Sequence, residues 1–445
     1  MKKIVLVLCF VFIALFGLTS CGKDESGSDD PTGGNTGSTV YVKFWIHKAK
    51  SEEEGTIYQK IADDFNKAGN KTSDGKLVKI KLEFQNSASN LATKITTAAA
   101  TGGLPDVVAV DSPMITNYAK QNILTDISSY ISDSVKDSYV DSVISQSTVD
   151  GKLYALSAME APTGLYYNKA LLAQVGITEF GTIENPWSWK DVMDALKKLK
   201  ANDKTASSAQ IKFNRGFGGD EGPMYLYSAL AYSAGGNIYQ NGTVKNALNS
   251  QETINGLKQL EQFFAKGSDW EYKGSNEYAL VVGDCAFEIH GSWNIRKFDE
   301  KYASKASDYG VMPFPVYEEN GQKGTVVSGC GSWGFGVTTA CKNKEAASIA
   351  LTYFTGKDAS KLLADSIGIF PTNKEVLTEE KYQTGNLGMM NSLLQNCAVT
   401  RPMLKEYNVL RDSYAKIINY VASYGSLANY NLETYIAEQI TNINL

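Results

Sequence analysis

The stretch VYVKFWIHKAKSEEEGTIYQKIADDFNKAGNKTSDGKLVKIKLEFQNSASNLATKITTAAATGGLPDVVAVD, residues Val40 to Asp111, switches back and forth between two hydrophobic periods. Val42, Phe44 and Ile46 alternate with Tyr41, Lys43 and Trp45, the period-2 pattern of a strand with one buried face. Ser51-Glu52-Glu53-Glu54 has the form of a capping box, and Ile57, Ile61 and Phe65 follow at the spacing of one helix face. Val78, Ile80, Leu82 and Phe84 alternate with Lys79, Lys81 and Glu83 as a second strand. Leu91 and Ile95 share the face of a second helix that ends near Gly102-Gly103. Pro105-Asp106 then leads into Val107-Val108-Ala109-Val110, an unbroken apolar run that suits a central strand buried on both faces. The order β-α-β-α-β with short joints predicts an α/β fold with an open, mainly parallel sheet flanked by helices.

The rest of the chain continues the mixture. Ser188 is placed to start a helix with Val192, Leu196 and Leu199 on one face, and Ile254, Leu257 and Leu260 mark another. Residues 343–365 and 403–442 read as helical almost throughout. Pro313-Phe314-Pro315 and Asn320-Gly321 punctuate the chain as crossings or turns. A length of 445 residues allows two or three domains. No internal repeat is seen and nothing after residue 40 has the composition of a linker, so the domains are expected to interleave along the chain.

The beginning of the chain reads as an address. Lys2 and Lys3 precede the fifteen apolar-rich residues Ile4–Leu18, fewer than the roughly 20 needed to cross a bilayer, so residues 1–20 are expected to be a signal peptide. Leu18-Thr19-Ser20-Cys21-Gly22 resembles the bacterial lipobox. That resemblance implies cleavage before Cys21, diacylglycerol on its sulfur and a fatty acyl group such as palmitate on its amine, an anchor worth ~0.8 kcal/mol per buried CH₂. An uncleaved anchor or an ordinary signal peptide with a chance Cys is the alternative. Residues 21–39, rich in Gly, Ser, Thr and Asp, read as a flexible tether.

Composition narrows the function. Lys plus Arg number 43 against 48 Asp plus Glu, with no basic run, which argues against nucleic-acid binding. No CxxC or Cys/His cluster points to zinc, and no GxxxxGK[ST] to a bound nucleotide. G-x-S-x-G and HExxH are absent, and two His leave little for nucleophilic or multi-His metal chemistry. No catalytic residue, cofactor or metal is therefore assigned. Cys285, Cys330, Cys341 and Cys397 allow three pairings or four free thiols, and spacing does not choose.

A series of short motifs, in order, carries a family resemblance. Gly103-Leu104-Pro105-Asp106-Val107 with Asp111 comes first, then Asn122-Ile123-Leu124-Thr125-Asp126-Ile127 and Asp150-Gly151-Lys152-Leu153-Tyr154-Ala155-Leu156. Tyr167-Asn168-Lys169-Ala170-Leu171-Leu172, Pro186-Trp187-Ser188-Trp189, Gly283-Asp284-Cys285-Ala286-Phe287 with Gly291-Ser292-Trp293, Tyr309-Gly310-Val311-Met312-Pro313 and Arg401-Pro402 follow. Together they resemble family 1 extracellular solute-binding proteins of carbohydrate ABC importers, the maltose-binding-protein group. Ser157-Ala158-Met159-Glu160-Ala161-Pro162 departs from the usual Leu-Pro. The resemblance implies a two-lobed periplasmic-binding-protein-like fold of type II, with a cleft between lobes joined by a hinge. Lobe 1 would be 40–158 plus 314–370, and lobe 2 would be 159–313 plus 371–445. It further implies a carbohydrate ligand, ABC transporter permease subunits as partners, and a lipid-anchored, extracytoplasmic protein at the cell membrane, on its periplasmic or cell-surface side. A monomer is expected.

A sugar site needs flat aromatic faces and a few fixed polar groups. Trp45 and His47 lie at the carboxyl end of the first strand, Asn86 just past the second and Asp111 at the end of the apolar run. Ligands of open α/β sheets bind beyond those ends. Asp111 could accept two sugar hydroxyls or could instead cap the helix near Pro113. By the family resemblance Glu160, near the hinge, and Tyr225, with Glu221 a lesser choice, are further candidates. Trp293 after Gly291-Ser292, Trp333 in a Gly-rich segment, and Tyr407 after Arg401-Pro402 complete the set. Three rivals stand beside a sugar importer's receptor: an enzyme, a receptor for another solute, and a non-transport surface protein such as a sensor's ligand receptor or an adhesin. An enzyme could use Asp111 and Glu160 as a carboxylate pair at ~5–9 Å. A receptor for a polyamine or peptide could use an acidic aromatic box. A ferric-ion receptor could use Tyr166-Tyr167, although strand alternation points those two to opposite faces.

Overall fold

The computed structural model describes residues 38–216, 219 and 221–443. The signal segment, Cys21 and nearly all of the tether lie outside them; the first strand already begins at Thr39. The first part of the chain forms β1 (Thr39–Ile46), α1 (Glu53–Ala68), β2 (Leu77–Phe84), α2 (Ala88–Thr101), β3 (Val107–Asp111), α3 (Met114–Lys120) and β4 (Ala155–Leu156). The chain then crosses to β5 (Thr163–Asn168), α4 (Trp189–Lys200), β6 (Ile211–Lys212), α5 (Glu221–Ser233), β7 (Phe287–Gly291), α6 (Asn294–Lys301) and β8 (Tyr309–Met312). It returns through β9 (Ser328–Cys330) to β10 (Trp333–Val337), α7 (Lys344–Thr355) and α8 (Lys357–Ile367), and crosses again to β11 (Ala398–Thr400) and α9 (Tyr407–Val421).

Two open sheets result, one in each lobe. The first has the order β2-β1-β3-β10-β4, the second β8-β5-β7-β6. In the first, β1 runs parallel to both β2 and β3, with α1 and α2 as the crossover connections such pairing needs. β10 arrives from far along the chain, slots between β3 and β4, and runs antiparallel to both. In the second sheet β5 is antiparallel to β7 and β8, while β6 is parallel to β7. Short pairings tie the crossing segments: Met159–Glu160 with Phe370–Pro371, and β9 with β11.

The burial pattern follows the sequence periods. Val42, Phe44 and Ile46 are fully buried on β1, each worth about 1.5–3 kcal/mol against exposure. Val107–Val110 is buried throughout, as expected of a strand covered on both faces. Tyr166 and Tyr167 take opposite sides of β5: Tyr166 joins the core that includes the first sheet, Tyr167 the core packed by α4, α5 and α9. Ser188 caps α4 through a reciprocal capping box with Asp191. The capping box expected at Ser51 does not form. The N-cap of α1 is Glu52, without a side-chain bond, and the Glu54 carboxylate turns away to His47, Lys48 and Tyr58. Cys285, Cys330, Cys341 and Cys397 are free thiols.

Candidate functional site

The carboxyl ends of β1 and β3 and the start of β10 meet at one edge of the first sheet. Asp111, last residue of β3, stands directly across from Trp333, first residue of β10. From the other lobe come Glu221 at the N-terminus of α5, Tyr225 one turn later, and Trp293 just after β7. These residues share a cavity of about 220 Å³ whose wall also includes Lys48, Glu54, Met159, Ala161, Ile369 and Arg401. A second cavity of about 470 Å³ adjoins it and shares Asp111, Glu221 and Trp333. Its wall is apolar on the α2 side, with Leu91, Ala92 and Ile95, and carries Asn408 and Arg411 from α9.

Arg401 is the electrostatic centre of this cleft. Its side chain is 4% exposed and leaves the β9–β11 ribbon beside Gly331. Gly331 has φ +143°, and a Cβ there would lie 2.9 Å from both Arg401 Nη2 and Ser112 Oγ. Only glycine gives the guanidinium this room. Nη1 donates to Asp111 Oδ2 at 3.1 Å and Nη2 to Asp111 Oδ1 at 2.6 Å, the forked geometry that makes such pairs strong. Nη1 also donates to Glu221 Oε1 at 2.5 Å and Nη2 to Ser112 Oγ at 3.0 Å. The Tyr407 hydroxyl donates to the same Glu221 oxygen. Burial pushes the Glu221 carboxyl up from its ordinary value; Arg401 opposes this and the like charge of Asp111 adds to it. Burial works against the Arg401 charge, yet Asp111 and Glu221 more than offset it and move the guanidinium well above its ordinary value.

Aromatic faces fill the space between the charges. Tyr225 and Trp293 are near-parallel, with centroids 6.0 Å apart, and the Arg401 guanidinium lies 5.3 Å from the Tyr225 ring centre. Trp333 borders both cavities. The remaining ions on the wall are paired as well: Lys48 with Glu54 at 3.1 Å, and Arg411 with Asp412 at 2.6 Å. Glu54 sits in a buried position that would raise it, but hydrogen bonding and charge from His47, helped by Lys48 and Tyr58, bring it down to about 2.

Of the residues expected at a site, the structure brings Asp111, Tyr225, Trp293 and Trp333 together on the cavity wall. Asp111 engages Arg401 rather than capping the next helix, whose N-cap is Pro113 without a side-chain bond. The others lie elsewhere. Trp45 is 4% exposed, its indole N–H donates to Glu83 at 2.8 Å, and Lys94 lies over its ring. His47 is buried behind Trp333, stacked on it at 3.9 Å. Asn86 is exposed with φ 65°, a turn residue off the cleft. Glu160 is 1% exposed between two wall residues and accepts from Gln146, Ser142 and its neighbour's amide. Burial drives its carboxyl upward while those donors oppose the shift. Tyr407 is buried and reaches the site only through Glu221. Sequence reasoning noted Arg401 as a motif without giving it a site role. It missed Lys48, Glu54, Met159, Ala161 and Ile369; the position of Lys48 directly past a strand end was the available signal.

The profile of the bacterial extracellular solute-binding protein family matches residues 49–361. The galactooligosaccharide-binding protein of Bacillus subtilis is 24% identical over 387 residues, spanning 83% of this chain and 82% of that protein. The arabinooligosaccharide-binding protein of the same organism is 22% identical over 401 residues, spanning 87% and 84%. Among solved structures, the cyclic α-maltosyl-1,6-maltose binding protein of Arthrobacter globiformis superposes with a TM-score of 0.74 at 19% identity, covering 92% of this chain and 98% of that one. The sugar-binding protein MalE of Xanthomonas citri superposes at 0.73 with 16% identity, covering 91% and 96%. At such identities the superpositions establish the two-lobed fold, while the profile match reaches over most of the chain. The chain therefore belongs to the bacterial extracellular solute-binding protein family.

Proposed function

We propose that the protein captures an uncharged sugar or short oligosaccharide between its lobes, outside the cytoplasm, and passes it to an ABC transporter permease without altering it. The observation that carries this reading is the internal pairing of charge on the cavity wall. Asp111 and Glu221 both accept from the one guanidinium of Arg401, and Glu54 pairs with Lys48, so the aromatic faces of Trp293, Trp333 and Tyr225 stand among polar groups already held by one another. A neutral, hydroxyl-rich solute with C–H faces suits such a wall. A polyamine would have to compete with Arg401 and Lys48 for these carboxylates. The names of the B. subtilis relatives, both oligosaccharide-binding proteins, point the same way. A glycosidase reading built on Asp111 and Glu160 loses support, because Glu160 is absent from the wall.

The lobe limits at 158/159, 313/314 and 370/371 belong to this proposal and are supported by the crossing segments near them. Lipid attachment at Cys21 belongs to it too. Among the described residues no helix is long and apolar enough to cross a membrane.

A thermal-shift screen of the purified protein against mono- and oligosaccharides, polyamines, peptides and metal ions tests the reading. Ligand that binds only the folded state raises stability by about 2.7 kcal/mol at a hundredfold excess over Kd. The expected result is a rise with a neutral carbohydrate and no product after long incubation. A rise with a cation or peptide alone would overturn it.

A further inference from the structure

His47 lies just beyond β1, is 2% exposed, and is absent from the walls of both cavities. Its imidazole nevertheless lies flat on the Trp333 indole, with centroids 3.9 Å apart and planes 5° from parallel. A carboxylate adjoins the imidazole. Its Nε2 is 3.1 Å from Glu54 Oε1, and the Tyr58 hydroxyl donates to the same carboxylate oxygen at 2.9 Å. The Tyr58 ring meets His47 edge-on at 6.1 Å and stacks on Phe354 at 5.5 Å, which roots the assembly in the core of the first lobe. On the other side Trp333 is only partly buried and borders both cavities. A tryptophan at a strand end turns about two side-chain torsions, and an aromatic platform for a sugar is useful only when its plane is set before the ligand arrives.

We propose that His47 is a positioning residue: it covers the inner face of Trp333 and fixes the plane on which the ligand stacks, with Glu54 holding the imidazole in register. This rests on the sugar-binding reading. His47 then acts through Trp333 and never touches the ligand, which accounts for a histidine at the binding end of the sheet that is nonetheless buried.

Fluorine NMR of the full chain labelled with 6-fluorotryptophan tests the idea without ligand, the Trp333 resonance being assigned by Trp333→Phe. Two variants separate the stack from the Glu54 contact. His47→Phe keeps a flat ring and loses the contact; His47→Gln keeps a donor for Glu54 and loses the ring. We expect His47→Phe to retain the single narrow Trp333 line, and His47→Gln to broaden or displace it while the other five tryptophan lines stay in place. With maltotriose as the probe sugar, His47→Gln should weaken binding roughly tenfold, and that loss should vanish in a Trp333→Ala background, since residues acting as one unit are not additive. An unchanged Trp333 line in His47→Gln, or an affinity loss of equal size with and without Trp333, overturns the proposal. Wild-type protein that ignores every sugar counts against the sugar reading alone, because the fluorine line still decides the role of His47.

Discussion

Asp111 and Arg401, 290 residues apart in sequence, form a two-pronged ion pair across the cleft, with Glu221 accepting from the same guanidinium. Replacing Arg401 by Met would leave two half-buried carboxylates facing each other with no cation. Breaking a buried pair from one side costs about 3–5 kcal/mol. Arg401→Met should lower the unfolding free energy from urea titration at pH 7 by that amount and recover part of it as pH falls, because burial already pushes the Glu221 carboxyl upward and its protonation relieves the repulsion. A midpoint equal to wild type at pH 7 would contradict this account of the cleft.

Gly331 makes the pair sterically feasible. Gly331→Ala places a Cβ 2.9 Å from Arg401 Nη2 and demands φ +143° of an L-residue. The expected cost is about 1–3 kcal/mol of stability, measured by thermal unfolding, together with weaker ligand binding as Arg401 is displaced.

Trp293 offers its ring to the cavity beside Tyr225. Trp293→Ala should weaken the ligand found by thermal screening by about 2 kcal/mol, close to thirtyfold in Kd by calorimetry. Affinity equal to wild type in a folded variant would remove Trp293 from the binding surface.

Glu54 supplies a pH signature. Its folded value of about 2 lies below the ordinary 4.5, so its contribution to stability is complete above pH 4.5 and is lost as pH falls from 4.5 toward 2. The shift corresponds to about 3 kcal/mol. Glu54→Gln should therefore be less stable than wild type at pH 7, and the gap should close below pH 4 in urea titrations. A gap that stays constant across that range would assign the loss to packing instead.

For the proposed lipid anchor, wild-type protein made in its native host should partition into the detergent phase of a Triton X-114 separation. Cys21→Ser should move to the aqueous phase. Detergent-phase partitioning of a processed Cys21→Ser protein would refute attachment through that sulfur.

The first sheet was readable from Val42, Phe44, Ile46 and the Val107–Val110 run, because local periodicity is set by the faces those residues bury. Ser188 was readable as a cap, since a capping box is closed by residues three apart. Ser51 carried the same local pattern and failed, because Glu54 found stronger partners in His47, Lys48 and Tyr58. Asp111, Trp293, Trp333 and Tyr225 were legible as candidates from strand ends, a glycine-marked bend and motif position. His47 and Glu160 occupied equally plausible places in the chain, yet their side chains turn behind the wall, where Trp333 in one case and Gln146 with Ser142 in the other receive them. Such turns depend on contacts made by distant segments. Arg401 shows the limit most clearly: its partners are fixed only after β9, β11, β3 and α5 have come together.

The insertion of β10 between β3 and β4 also bears on the protein's manufacture. Until Val337 has been synthesised, the apolar edge of Val107–Asp111 has no neighbour on that side. A nascent chain thus emerges for most of its length with its first sheet unable to close. That delay leaves an unpaired strand edge open to other chains until the later segment has emerged.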